Sequence, residues 1–144
     1  MERISRNYHA RLQEMCDCYM ETDYRKEIEK MASEASIDVE EDALKYLALS
    51  ILYSTTEKAK KLSFKKKKGE RKVTVKAKEK MELPTPPGEI ADKIFEIMRS
   101  ITHLEGEKGR EPFSLGLRDG RMELGVRVKK DDDKESLKFS FPGL

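Results

Sequence analysis

The spacing of the apolar residues changes part-way along the chain, and this change restricts the fold more than any other feature. Ile4, Tyr8, Leu12, Met15 and Tyr19 recur at steps of three and four, and Tyr24, Ile28 and Met31 repeat that pattern. Beyond Leu62 the step becomes two: Leu62 and Phe64, then Val73, Val75 and Ala77, and later Phe113, Leu115 and Leu117. The first period gathers apolar side chains on one face of a helix, and the second gathers them on one face of a strand. The reading is an α+β fold: N-terminal helices, then a mixed or antiparallel sheet of about five strands, with two helices packed on one face.

Within that frame the punctuation places the elements. Residues 1–37 read as a helical extension, either one bent helix or two short ones, ending before Ser36, Ile37 and Asp38. Its apolar stripe has two uses open to it, packing on the sheet or pairing with a second copy in a homodimer. Asp38 is placed to cap a new helix, with Glu41 three residues on completing the reciprocal capping pattern. That helix carries Leu44, Leu47, Ala48, Ile51, Leu52 and Thr55, ends near Lys60, and is apolar enough to lie against the sheet. Residues 62–67 and 71–80 read as a hairpin about Gly69, which Met81 and Leu83 extend. Pro84, Pro86 and Pro87 then stop regular structure. A helix with the stripe Ile90, Ile94, Ile97, Met98 and Ile101 follows, running up to His103.

After a charged loop over residues 104–110 the alternation resumes. Asp119-Gly120 is a strong hairpin signal between Phe113, Leu115, Leu117 and the next run, Met122, Leu124, Val126 and Val128. A turn at Asp131, Asp132 and Asp133 leads to Leu137, Phe139 and Phe141, closing a three-stranded meander. A length of 144 residues suits one core, so residues 1–144 are expected to form a single domain, with 38–144 as its α-β-β-α-β-β-β part. No apolar run approaches the roughly 18 residues that span a bilayer, and no signal-like segment follows the start, so no membrane insertion and a cytoplasmic location are expected.

The search for catalytic chemistry is negative, and the expectation is a protein that is not an enzyme. Gly106-Glu107-Lys108-Gly109 lacks the spacing and the closing Lys-Ser/Thr of a phosphate loop. Neither His9 nor His103 has a carboxylate at an indicative spacing, and no serine sits in a nucleophile elbow. Cys16 and Cys18 are two apart in a helix and do not face each other, so no disulfide is expected between them. A metal would need more ligands than His9 and the distant His103 add. The aspartate triplet lacks the alternating ligands and closing Glu of a calcium loop. No metal and no cofactor are therefore expected.

One anomaly remains. Between Glu57 and Lys80 twelve basic residues face three acidic ones, a local excess of nine in a chain whose formal net charge is +2. The hairpin residues Lys65, Lys66, Lys67, Lys68, Arg71 and Lys72 are the candidate binding surface, for phosphates or for an acidic protein. Lysines that shield an edge strand from aggregation would read the same way. The block interleaves only Phe64, which alternation points inward, so base stacking has little support.

Residues 42–141 resemble the small domain that precedes the motor in the assembly ATPases of type II secretion and type IV pili. The likeness lies in the order of a Leu- and Ala-rich helix, a hairpin, a proline-rich bend, a second helix and the meander from Phe113 to Phe141. The family's first strand carries an acidic Asp-Ile-His-Ile-Glu signature, where this chain has Lys61, Leu62, Ser63, Phe64 and Lys65. The family's Arg-Val pair falls on Arg127 and Val128, which implies that Arg127 contacts nucleotide or a partner. No Walker loop accompanies the domain here. The resemblance implies a regulatory or adaptor module that binds a protein, a motor or platform component of a secretion or pilus machine. The competing expectation is a nucleic-acid-binding protein that lays the lysine-rich hairpin, residues 58–80, on the phosphate backbone.

Overall fold

Among the described residues ten elements follow one another: α1 (Tyr8–Tyr19), α2 (Tyr24–Ser33), α3 (Val39–Thr56), β1 (Lys61–Lys67), β2 (Glu70–Lys76), β3 (Lys80–Leu83), α4 (Gly88–Thr102), β4 (Lys108–Leu117), β5 (Gly120–Lys130) and β6 (Lys134–Ser140). The structure is a computed structural model and describes residues 8–34, 38–104, 106–117 and 120–142. All strands join one antiparallel sheet in the order β3-β2-β1-β6-β5-β4. The architecture is α+β with helices packed on the sheet, as the change of period predicts.

The sheet has six strands rather than five. The chain reverses over Ala77 to Glu79, where the Ala77 N–H donates to the Glu79 carbonyl at 3.2 Å, so Met81 and Leu83 belong to a separate edge strand. No glycine or proline marks that reversal, which is why the sequence reads as one longer strand. Strand β4 likewise starts at Lys108, inside the expected loop, because the ladder Lys108↔Lys129 continues beyond the part that helices cover. Apolar alternation marks only the covered part. The Asp119 half of the expected hairpin signal, like Ile4, Ser36 and Ile37, lies outside the described residues.

The strand order dictates the path of α4. Strands β3 and β4 are opposite edges, so the connection between them has to cross the whole sheet. Five inter-strand steps of about 4.8 Å make roughly 24 Å. A helix of 15 residues covers about 22 Å at 1.5 Å per residue. Ile90, Ile94, Ile97 and Met98 face inward and are almost wholly buried. Helix α3 is buried nearly all round, with Leu44, Leu47, Leu49 and Ile51 fully enclosed. Its Tyr46 ring meets the Phe64 ring edge-on at 6.2 Å, and its Tyr46 hydroxyl donates to the Pro84 carbonyl at 2.6 Å. That bond ties the proline-rich bend to the core. Each such buried large side chain contributes on the order of 1.5–3 kcal/mol relative to exposure.

Helix α3 starts as expected, with the Asp38 carboxylate accepting from the Glu41 N–H at 3.1 Å. It ends four residues early, at Thr56, because Lys58 turns left-handed (φ 57°) and the Ala59 N–H reaches back to the Ser54 carbonyl at 2.9 Å. This closes the last turn in the manner of a Schellman cap, with a lysine where glycine is usual. The N-terminal segment is two helices, broken where the Asp23 carboxylate caps α2 through the Lys26 N–H at 3.2 Å. Tyr8, Leu12 and Cys16 from α1 and Tyr24, Ile28 and Met31 from α2 are all buried in the one core. The apolar stripe thus packs largely within the chain, with Met15 and Tyr19 half-buried at its margin.

Helix α1 also closes the β4 edge. The Gln13 amide donates to the Gly116 carbonyl and accepts from the Gly116 N–H, both at 2.7 Å, so it stands in for a neighbouring strand. His9 Nε2 lies 2.8 Å from the Ser114 carbonyl, with its ring 4.6 Å from that of Phe113. An open edge is a template for pairing with another chain. Gln13→Ala is expected to lower stability in urea unfolding by about 1–2 kcal/mol, and light scattering should show faster self-association.

The thiols separate cleanly. Cys16 is buried and burial pushes its thiol up to about 12, whereas Cys18 is exposed. Titration with an aromatic disulfide at neutral pH should modify one cysteine per native chain and the second only after denaturation.

Candidate anion-binding face

Alternation sorts the basic residues between the two faces of the sheet. On β1, Leu62 and Phe64 point toward the helices, so Lys61, Lys65 and Lys67 point away. Lys72 and Lys76 on β2 and Lys80 on β3 share that outer face. The meander adds Lys108 and Arg110 from β4, Arg121, Arg127 and Lys129 from β5, and Lys134 and Lys138 from β6. Among the described residues of the strands Glu70, Glu82 and Glu123 oppose them there, and Asp131 borders the same field from the turn after β5. Lys138 is half-buried in the middle of this group and the other cations are exposed.

The registers convert this into rows. Lys108, Lys129, Ser136, Lys65 and Lys72 stand side by side across five strands. Arg110, Arg127 and Lys138 form the next row. Lys61, Lys76 and Lys80 continue the field at one end, and Lys134 beside Lys67 at the other. Within the described residues the one ion pair on this face joins Lys72 to Glu82 at 3.6 Å. The Lys138 ammonium is pushed below its usual range, first by burial and then by Lys65, Lys61, Arg127 and Lys129.

The candidate residues of the hairpin therefore do not act as one patch. Lys65, Lys67 and Lys72 join the outer field. Lys66 and Arg71 point to the helix side, where both meet Asp92 of α4. Arg71 forms a two-pronged bond with Nε at 3.0 Å and Nη2 at 2.9 Å, and Lys66 Nζ is 3.2 Å away. This clamp holds the hairpin down on α4. Lys68 sits in the turn with φ 50° beside Gly69 at φ 85°, the pair of positive angles of a type I′ hairpin. Its N–H donates to the Asp133 carbonyl at 3.1 Å, joining the two loop tips at that end of the sheet.

Edge protection does not account for these lysines. Strands β1 and β2 are interior, and the edges are β3 and β4. Arg127 lies where alternation puts it, exposed on the outer face between Arg110 and Lys138. The face carries no aromatic side chain, since Phe64, Phe113 and Phe139 are all buried on the other side. Sequence reasoning missed the contribution of the meander. Each meander strand shows cations at its polar alternate positions, but only the pairing of β6 with β1 brings them beside the hairpin.

No protein-family model and no curated protein matches this chain. The outer field must be judged on its own chemistry. Among the described residues no group of three or more His, Cys, Asp or Glu side chains is arranged to hold a metal ion. His9 and His103 have structural positions, the first on the β4 edge and the second as the left-handed cap of α4. Asp131, from the aspartate triplet, uses a carboxylate oxygen to accept from the Lys134 N–H at 3.2 Å. No helix among the described residues is long and apolar enough to cross a membrane.

The Asp92 clamp has a definite pH signature. Hydrogen bonding from Arg71, and secondarily from Lys66, holds the Asp92 carboxyl below its ordinary value of 3.8. A depressed carboxylate stabilises the fold above its unfolded pKa, and that contribution is lost as pH falls through the folded value. Because Asp92 is 42% exposed, solvent screening keeps the effect small, about 0.5–1 kcal/mol. Asp92→Asn should therefore be less stable than the parent by about that amount at neutral pH. Chemical unfolding should show the difference shrinking as the pH falls below the ordinary carboxylate range.

Proposed function

We propose that this chain is a non-enzymatic cytoplasmic module that binds nucleic acid through the phosphate backbone, using the uncovered face of its sheet. The observation that carries this reading is the field of outer-face cations, neutralised by so few carboxylates. Protein interfaces are built around apolar and aromatic anchors and are depleted in lysine. This face has lysines and no aromatic anchor, a composition suited to phosphate oxygens, which lysine meets as a mobile point charge. With no aromatic platform and nothing placed to read base edges, the binding is independent of sequence.

A second reading follows from the element order, in which helix, hairpin, proline-rich bend, helix and meander succeed one another as in the pre-motor domain of the secretion and pilus ATPases. On that reading the same face, with Arg127 in it, meets an acidic surface of a motor or platform protein, and the module is an adaptor.

Fluorescence anisotropy with a labelled 24-base-pair duplex separates the two. If about five phosphates are neutralised, affinity should fall about 500-fold between 50 and 200 mM salt. The double change Lys65→Glu with Arg127→Glu should abolish binding while raising the unfolding midpoint, because it relieves like-charge repulsion on the face. Absence of binding to duplex and to single strands at 50 mM salt would remove the nucleic-acid reading. Capture of an acidic protein that survives nuclease treatment and is lost in the double variant would then support the adaptor.

A further inference from the structure

The outer field has a centre. Ser136, a small side chain, is surrounded on its own face by long cationic ones. Its ladder partners are Lys129 on β5 and Lys65 on β1. Two residues away on β6 stand Lys134 and Lys138, opposite which lie Lys67 on β1 and Arg127 on β5. Direct partners have Cβ atoms roughly 5 Å apart and diagonal ones about 7–8 Å. A small residue inside a ring of long ones leaves a basin, and a cavity of about 340 Å³ is found there, lined by Ser136 and five of these cations, Lys65, Lys67, Lys129, Lys134 and Lys138. That is within the size range of small-ligand sites.

Two carboxylates border the basin, Asp131 and Glu135, and neither forms an ion pair with a ring lysine among the described residues. Glu135 borders the basin but turns to Arg99 at 3.4 Å on the helix side. Asp131 binds the Lys134 backbone N–H. The five ring lysines make no ion pair among the described residues. Their ammonium groups repel one another, which the lowered Lys138 registers along with its burial, and a compact anion relieves that repulsion.

From this arrangement we infer that the Ser136 basin is a binding site for a compact anion of two or more linked phosphates, with the serine hydroxyl donating from the floor and the lysines closing around it. A single phosphate reaches only a few of the ring lysines at once. Linked phosphates carry one or more charges each and span the ring. The site uses part of the face assigned to nucleic acid but does not depend on a polymer filling it, and its occupant competes with the polymer.

Isothermal titration calorimetry of the full chain with inorganic tripolyphosphate, at 100 mM salt, tests the assignment. One site per chain is expected, with orthophosphate at least ten-fold weaker. Ser136→Glu and Lys138→Ala should each weaken tripolyphosphate at least ten-fold. Lys76→Ala and Lys108→Ala, on the same face outside the ring, should change it less than two-fold. If Ser136→Glu fails to fold, Lys129→Gln takes its place, with the same loss expected. No binding, several equivalent sites, or equal weakening by ring and off-ring changes would each overturn the basin in favour of a diffuse field. Loss of duplex binding alone, with tripolyphosphate still bound, sinks the polymer reading and leaves the basin standing; the reverse pattern sinks the basin alone.

Discussion

Everything in this molecule depends on an antiparallel sheet that, among the described residues, helices cover on one side only. Because side chains alternate along every strand, covering one face commits each strand to an apolar set and a solvent set. The inner set, from Leu62 and Phe64 to Leu137 and Phe139, meets α3 and α4. Phe64 touches both neighbours, Tyr46 on the helix and Phe139 on the next strand, with ring centroids 6.2 and 6.1 Å away. A one-residue slip in β1 or β6 would bury lysines and expose these rings. Register is therefore held by the core itself, and the outer rows of cations inherit their order from the inner rows of phenylalanine, leucine and valine.

The same constraint explains the helices. Helix α4 has to cross from one sheet edge to the other, and once it does, α3 is enclosed among the sheet, α4 and the N-terminal helices. An enclosed helix must satisfy its polar groups internally. Ser50 and Ser54 do so by donating to the Leu47 and Ser50 carbonyls at 2.9 and 2.8 Å. Helix α1 is then fixed twice, by its apolar stripe and by Glu40 at the start of α3, which accepts from Tyr8 at 2.6 Å and from Arg11 at 2.7 Å. Holding α1 in place is what lets Gln13 finish the β4 edge.

Much of this was legible residue by residue. The alternation of Leu62 and Phe64, and of Leu124, Val126 and Val128, assigned the strand faces, and Asp38 assigned the start of α3. What escaped has physical reasons. The reversal before β3 uses Lys78 and Glu79, which carry no turn preference. Lys58 and Lys68 adopt left-handed conformations that their side chains do not advertise, Lys58 in the cap that closes α3 and Lys68 in a turn where its N–H is held by the Asp133 carbonyl. Most consequential was the neighbour of β1. Nothing local to Lys65 says that Ser136 lies beside it, since that pairing joins segments about seventy residues apart. The hairpin was visible as a basic stretch; the basic face was not.

The face also works against the fold that carries it. Two unit charges 7 Å apart repel by about 0.6 kcal/mol in water before screening, and by less at physiological salt. Summed over the neighbouring pairs of the outer rows this reaches on the order of a few kcal/mol, a sizeable part of the 5–15 kcal/mol that separates folded from unfolded chains. Threonine or glutamate at alternate positions would remove the repulsion and suit a strand at least as well, and Thr74 shows that the outer face accepts such a residue. Solubility alone needs charge of mixed sign spread over a surface, not one sign gathered on one face. A destabilising concentration of like charge on the side of a sheet that none of the described helices covers is the arrangement expected where a bound anion supplies the missing half of the electrostatics.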